Sequence, residues 1–144
     1  MALLLVLAGC SFRVGSADST GAWEKSADQV LGTAVSSLGT AELLLENQSE
    51  GRVTRSYTVV GLRDAVEVLD KESVTFLTAR PPASAEELDR RAVALVEGSL
   101  QVLHTAAIAA AGTSPADREE ALRLVRGARS EVQDFQDELP KAMP

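Results

Sequence analysis

The side chains whose type and spacing could do chemistry in this sequence are one histidine, two columns of carboxylates and one column of arginines. His104 has Leu100, Ala107 and Ile108 as neighbours at helical spacing, which puts it on the edge of an apolar face. A single histidine with no matched nucleophile cannot assemble a nucleophile–histidine–carboxylate site, and nothing in the chain resembles a nucleophile elbow. The residue three before it is Gln101, so the Glu-x-x-His pattern of bundle di-metal centres is missing too. No Cys-x-x-Cys-His is present for covalent haem. A structural role for His104 is therefore preferred, and a ligand contact with a copper ion or haem is the alternative.

Asp64, Glu67 and Asp70 stand at a spacing of three, or nearly so, and Glu131, Asp134 and Glu138 do likewise further on. Such columns can hold a hard cation such as calcium, but they are more often a solvated helix face, and no metal site is assigned to them. Arg123, Arg126 and Arg129 form a basic column that could grip a phosphate or an acidic partner. Glu119 and Glu120 lie within helical reach of Arg123, so a surface lattice of ion pairs is the favoured reading of that column.

The one cysteine, Cys10, rules out an intrachain disulfide. It follows an apolar run, Leu3-Leu4-Leu5-Val6-Leu7-Ala8-Gly9, and precedes a mostly small and polar stretch from Ser11 to Gly21. Leu7-Ala8-Gly9-Cys10 resembles the bacterial lipobox. That resemblance implies a diacylglycerol on the Cys10 thiol, removal of residues 1–9 and a lipid anchor at the extracytoplasmic face of a cell membrane. No Lys or Arg precedes Cys10, whereas a secretory signal opens with positive charge. The expectation is that the true start lies upstream, with an in-frame Lys/Arg-containing opening. The competing reading makes Ala2 to Leu7 the start of a buried helix and Cys10 a small core residue. The run is too short for a membrane span, which needs about 20 apolar residues.

The 144 residues carry a net charge of −7. An acidic chain with no Lys/Arg run is a poor ligand for nucleic acid, so nucleic acid is excluded as a partner. Anionic head groups would repel it, and membrane attachment must come from lipid rather than surface charge. Aromatic residues make up 3% of the chain against 45% hydrophobic, so the core is built from Ala, Leu and Val, a composition suited to closely packed helices.

Four helical segments are expected to position these residues. The first spans about 22–48 with Gly21 and Glu24 at its cap, and the second about 53–78, although Val53 to Val60 is β-branched enough to be extended. Pro81-Pro82 ends the second; Ser84 and Glu87 would start the third as a capping box, with Glu86–Arg90 and Glu87–Arg91 pairs behind it. Gly112 stops the third, Ser114-Pro115 starts the fourth, and Pro140 ends it. The third helix is apolar almost all round from Leu100 to Ala111. It must be buried on every side or meet something else through Leu100, His104 and Ile108.

The expected fold is an all-α, up-and-down antiparallel four-helix bundle over residues 21–140, behind a signal (1–9) and a flexible tether (10–20). The expected function is a non-enzymatic, membrane-anchored lipoprotein that docks another cell-envelope protein and needs no cofactor. The alternative is a carrier or sensor of a small ligand, metal or haem inside the bundle.

Overall fold

A computed structural model describes residues 19–142, with side chains through Pro140. The lipobox, Cys10 and most of the expected tether lie outside the described residues. Four long helices fill this span: α1 (Thr20–Ser49), α2 (Arg55–Thr78), α3 (Glu86–Ala111) and α4 (Pro115–Ala142), with a single 3₁₀ turn, Ala83–Ala85, leading into α3. They pack against one another, and no strand occurs among the described residues.

Local chemistry explains each boundary. Ser19, not Gly21, caps α1: its hydroxyl accepts from the Ala22 N–H at 3.2 Å, a bond that glycine cannot supply. The far end closes on Gly51, whose φ of +71° is the left-handed conformation glycine adopts without a Cβ penalty. The Gly51 N–H donates to the Gln48 carbonyl (3.1 Å) and the Arg52 N–H to that of Asn47 (2.8 Å), which satisfies carbonyls the helix leaves open. Thr54 caps α2 by accepting from the Tyr57 N–H at 3.3 Å, so the β-branched run is helical from Arg55 onward. Thr58 then falls in register with buried Leu62, Ala65 and Leu69, and its hydroxyl donates back to the Thr54 carbonyl.

The expected capping box does not form. The chain leaves Pro81-Pro82 in a 3₁₀ turn, with the Ala85 N–H bonded to the Pro82 carbonyl and Ala85 fully buried. Ser84 instead shares a hydrogen bond with Thr20 of α1, and Glu87 pairs with Arg90 one turn on. Arg91 turns away to Glu138 of α4, at 3.0 Å, and lies over the Phe135 ring at 4.6 Å. The two expected i,i+4 pairs are thus replaced by one local pair and one bridge between helices. Ser114 starts α4 as expected, accepting from the Asp117 N–H. Pro140 does not end it; the helix continues to Ala142. Pro140 lacks the N–H that would bond the Gln136 carbonyl, and two helical residues follow it.

The core is a layered stack. Trp23, Leu31, Leu38 and Leu45 of α1 meet Leu62, Leu69 and Phe76 of α2, Val96 and Leu103 of α3, and Val125, Val132 and Phe135 of α4. Helix α1 touches all three others, and so does α3, whereas α2 and α4 make no contact among the described residues. Small buried residues explain that short diagonal: Ala27, Ala34 and Ala41 on α1, and Ala92, Ala106 and Ala110 on α3. Side chains of that size let two helix axes approach closely. The segment Ala83–Ala111 has a stretch of mean hydropathy 1.4, apolar enough to cross a membrane by length and composition, and here it is the helix packed against all three neighbours.

Candidate functional site

Four of the six large apolar side chains exposed among the described residues lie toward one end of the molecule; the other two, Val68 and Val74, lie further along α2. Leu43 (61% exposed), Tyr57 (63%), Val60 (57%) and Ile108 (76%) lie where α1 ends, α2 begins and α3 ends. Two contacts fix that end. The Gln48 side-chain amide donates to the Ala110 carbonyl at 3.0 Å, and Leu44 lies directly over Gly61. A Cβ at Gly61 would come within 2.7 Å of a Leu44 methyl, so glycine lets that side chain seat against α2.

Two shallow grooves flank α2. The first, of about 410 Å³, runs between α1 and α2. Ser36, Thr40 and Leu44 line it from α1, and Tyr57, Val60, Gly61, Asp64 and Val68 from α2. Asp64 is the one charged residue in its lining. The second, about 350 Å³, lies between α2 and α3 and holds Val59, Arg63 and Val66 opposite His104 and Ile108.

The His104 side chain is exposed, in this second groove, with Arg63 as the other charged or titratable residue lining it. Among the described residues no three His, Cys, Asp or Glu side chains come together as a metal site would require. The expected trio of Leu100, His104 and Ile108 is only partly exposed: Leu100 is half-buried against the core and does not line the groove. Leu100 packs against the core, one turn before His104 and two before Ile108, both of which are exposed. Both carboxylate columns are exposed. Glu138 pairs with Arg91, and no ion pair reaches Asp64, Glu67 or Asp70 among the described residues.

The arginine column divides. Arg123 pairs with Glu120 in its own helix. Arg126 instead reaches α1, where Nε donates to Glu42 at 2.8 Å and a second nitrogen binds Glu46, and Arg129 joins Glu42 at 3.0 Å. The hydrogen bond from Arg126 holds the Glu42 carboxyl below its ordinary value of 4.5; partial burial pushes the other way, and Arg129 adds to the lowering. All three arginines are therefore occupied by the molecule's own carboxylates, two of them in a clamp between α1 and α4. Sequence reasoning found the arginines and missed these partners. The available signal was Glu42 and Glu46, one turn apart, matching Arg126 and Arg129 one turn apart.

Neither the family models, nor the curated proteins, nor the solved structures give a match to this chain.

Sequence reasoning also missed the α1–α2 groove. Val60 and Val68 do not stand out along the chain, because an apolar residue beside a helix stripe reads as part of the stripe. Only the arrangement of neighbours reveals that no helix covers them. The lining suits apolar contact. The Thr40 hydroxyl donates its proton to the Ser36 carbonyl at 3.0 Å, so it has no proton left to donate to a ligand.

Proposed function

We propose that this protein is a non-enzymatic, lipid-anchored module of the cell envelope, held to the extracytoplasmic face of the membrane through Cys10 and docking another envelope component through its helical domain. The row of exposed apolar side chains on α2, Tyr57, Val60, Val68 and Val74, three of which line an open groove against α1, is the observation that carries the reading. Solvent does not reward such a cluster, and its removal from water on docking would contribute roughly 25 cal/mol per Å².

The helices are proposed to run up and down, each antiparallel to the next. Cross-helix contacts support this. Gln29 of α1 meets Glu72 of α2, Asp28 meets Gln136 of α4, and Arg91 of α3 meets Glu138 of α4. In each pair an early residue of one helix faces a late residue of its neighbour. On that topology the domain is about 35–45 Å long, the tether leaves one end, and the apolar row of α2 runs along the side from the far end, where Tyr57 and Val60 lie.

The test uses the native host. Wild type should fractionate with membranes and Cys10→Ser should become soluble. Tyr57→Asp with Val60→Asp should stay membrane-bound and folded while losing the crosslinked species that wild type forms in intact cells. Retention of that species by the double variant would overturn the docking surface.

A second reading has one observation behind it, the groove that places His104 beside Arg63. There the domain would carry or sense a small ligand, metal or haem. Uptake of copper or haem by purified protein, lost in His104→Ala, would favour it over docking.

A further inference from the structure

We propose that the α1–α2 groove is the docking site for an amphipathic helix whose apolar stripe carries a lysine or arginine at its middle, with Asp64 as the recognition residue. This rests on reading the domain as an interaction module and names the partner's chemistry.

The groove has the form a helix needs. Ser37 and Ala65 are buried and make a floor of small residues, with Leu44 seated over Gly61 beside them. Tyr57, Val60 and Val68 stand exposed along the α2 rim, over about three helical turns. Small floor residues admit a close helix axis, and apolar rims supply pockets for residues at i, i+3, i+4 and i+7.

Charge decides which helix fits. Asp64 lies in the middle of the groove, and its neighbours at helical spacing are Val60, Gly61, Glu67 and Val68, none of them basic. Across the groove stand Ser36, Ser37 and Thr40, again without a positive charge. No ion pair reaches Asp64 among the described residues, although seven are present in them. Docking an uncharged apolar helix would cover this carboxylate without compensation, which costs free energy. A cation at the matching position removes that penalty and fixes the register. A second copy of this chain is the wrong occupant, because a twofold contact centred on the groove would set Asp64 against Asp64.

The experiment titrates the full chain, carrying Cys10→Ser and isotopically labelled, with two synthetic amphipathic peptides of about 18 residues. Both carry a leucine stripe at spacings of three and four; one has lysine at its centre and the other glutamate. The lysine peptide should bind and move the amide signals of Gly61, Asp64 and Val68, and the glutamate peptide should bind about tenfold more weakly or worse. Asp64→Lys should reverse the order, Val60→Asp should remove binding of both, and Asp134→Lys, at an exposed position of α4 outside the groove, should change neither. Each of five results overturns the proposal: no binding of either peptide, equal affinities, a preference that survives Asp64→Lys, signal changes confined to the surroundings of His104, or self-association in sedimentation that Val60→Asp abolishes. The titration does not involve the lipid. An unmodified Cys10 would end the anchor and leave this result standing, and absent peptide binding would leave the anchor standing.

Discussion

Single residues at the end of the domain where α1 begins set its tightest requirements. Trp23 is 2% exposed, and its indole N–H donates to Asp89 at 2.7 Å while its ring lies 6.4 Å from that of Phe76. A buried donor left without an acceptor costs about 1–3 kcal/mol. Asp89→Ala should therefore destabilise by about that amount, and Asp89→Asn, which keeps an oxygen in place, by clearly less; urea unfolding followed by fluorescence of the single tryptophan measures both. Glu42 gives the second expectation. Its folded carboxyl titrates below its ordinary value, so the stabilisation it brings is present above about pH 4.5 and is lost as pH falls through the lowered value. Arg126 is about half exposed, which screens the pair, and Glu42→Gln should cost only about 1 kcal/mol at neutral pH. The acid side of the stability profile should flatten in that variant; an unchanged profile would assign the loss to other carboxylates.

At the scale of the element, capping decided what periodicity left open. The stretch from Val53 to Val60 looks extended in isolation, yet Thr54 supplies a cap and Thr58 matches the helical stripe, so α2 begins there. Ser84 and Glu87 had the spacing of a capping box, but the proline pair sets a 3₁₀ turn that commits Ser84 to Thr20. Sequence spacing offers a bond; the neighbouring helix determines whether the side chain takes it. Glycine gives the measurable case. Gly51 has open space around its missing Cβ but a left-handed backbone, so Gly51→Ala should cost about 1–2 kcal/mol from conformation alone. Gly98 and Gly127 also have open space but ordinary helical backbone, and alanine there should stabilise by up to about 1 kcal/mol. Thermal melts of the three variants compare these directly, and equal shifts would contradict the assignment of strain to Gly51.

For the whole molecule, helix number, order and buried faces were legible in the sequence because apolar residues recur with the helical period through each segment. Which helices share the short diagonal was not, since alanine on α1 and α3 reads the same whether it faces a neighbour or water. The candidate site was legible only in part: Ile108 emerges as expected, Leu100 does not, and the groove beside Tyr57 depends on which side of α2 is left uncovered. Surface and core should respond differently. Leu38→Ala, in the middle of the stack, should cost about 2–5 kcal/mol, whereas Tyr57→Asp and Ile108→Asp should stay within about 0.5 kcal/mol of wild type in chemical denaturation. A large loss from either surface variant would mean that the exposed cluster belongs to the fold rather than to a partner.

Lipid on the Cys10 sulfur is proposed to place this domain in the envelope. Intact-mass spectrometry of the protein from host membranes tests it most directly. The expected species is a chain beginning at Cys10 with the added mass of acyl chains. A chain that retains Leu7-Ala8-Gly9 ahead of an unmodified Cys10, recovered from the soluble fraction, would contradict it.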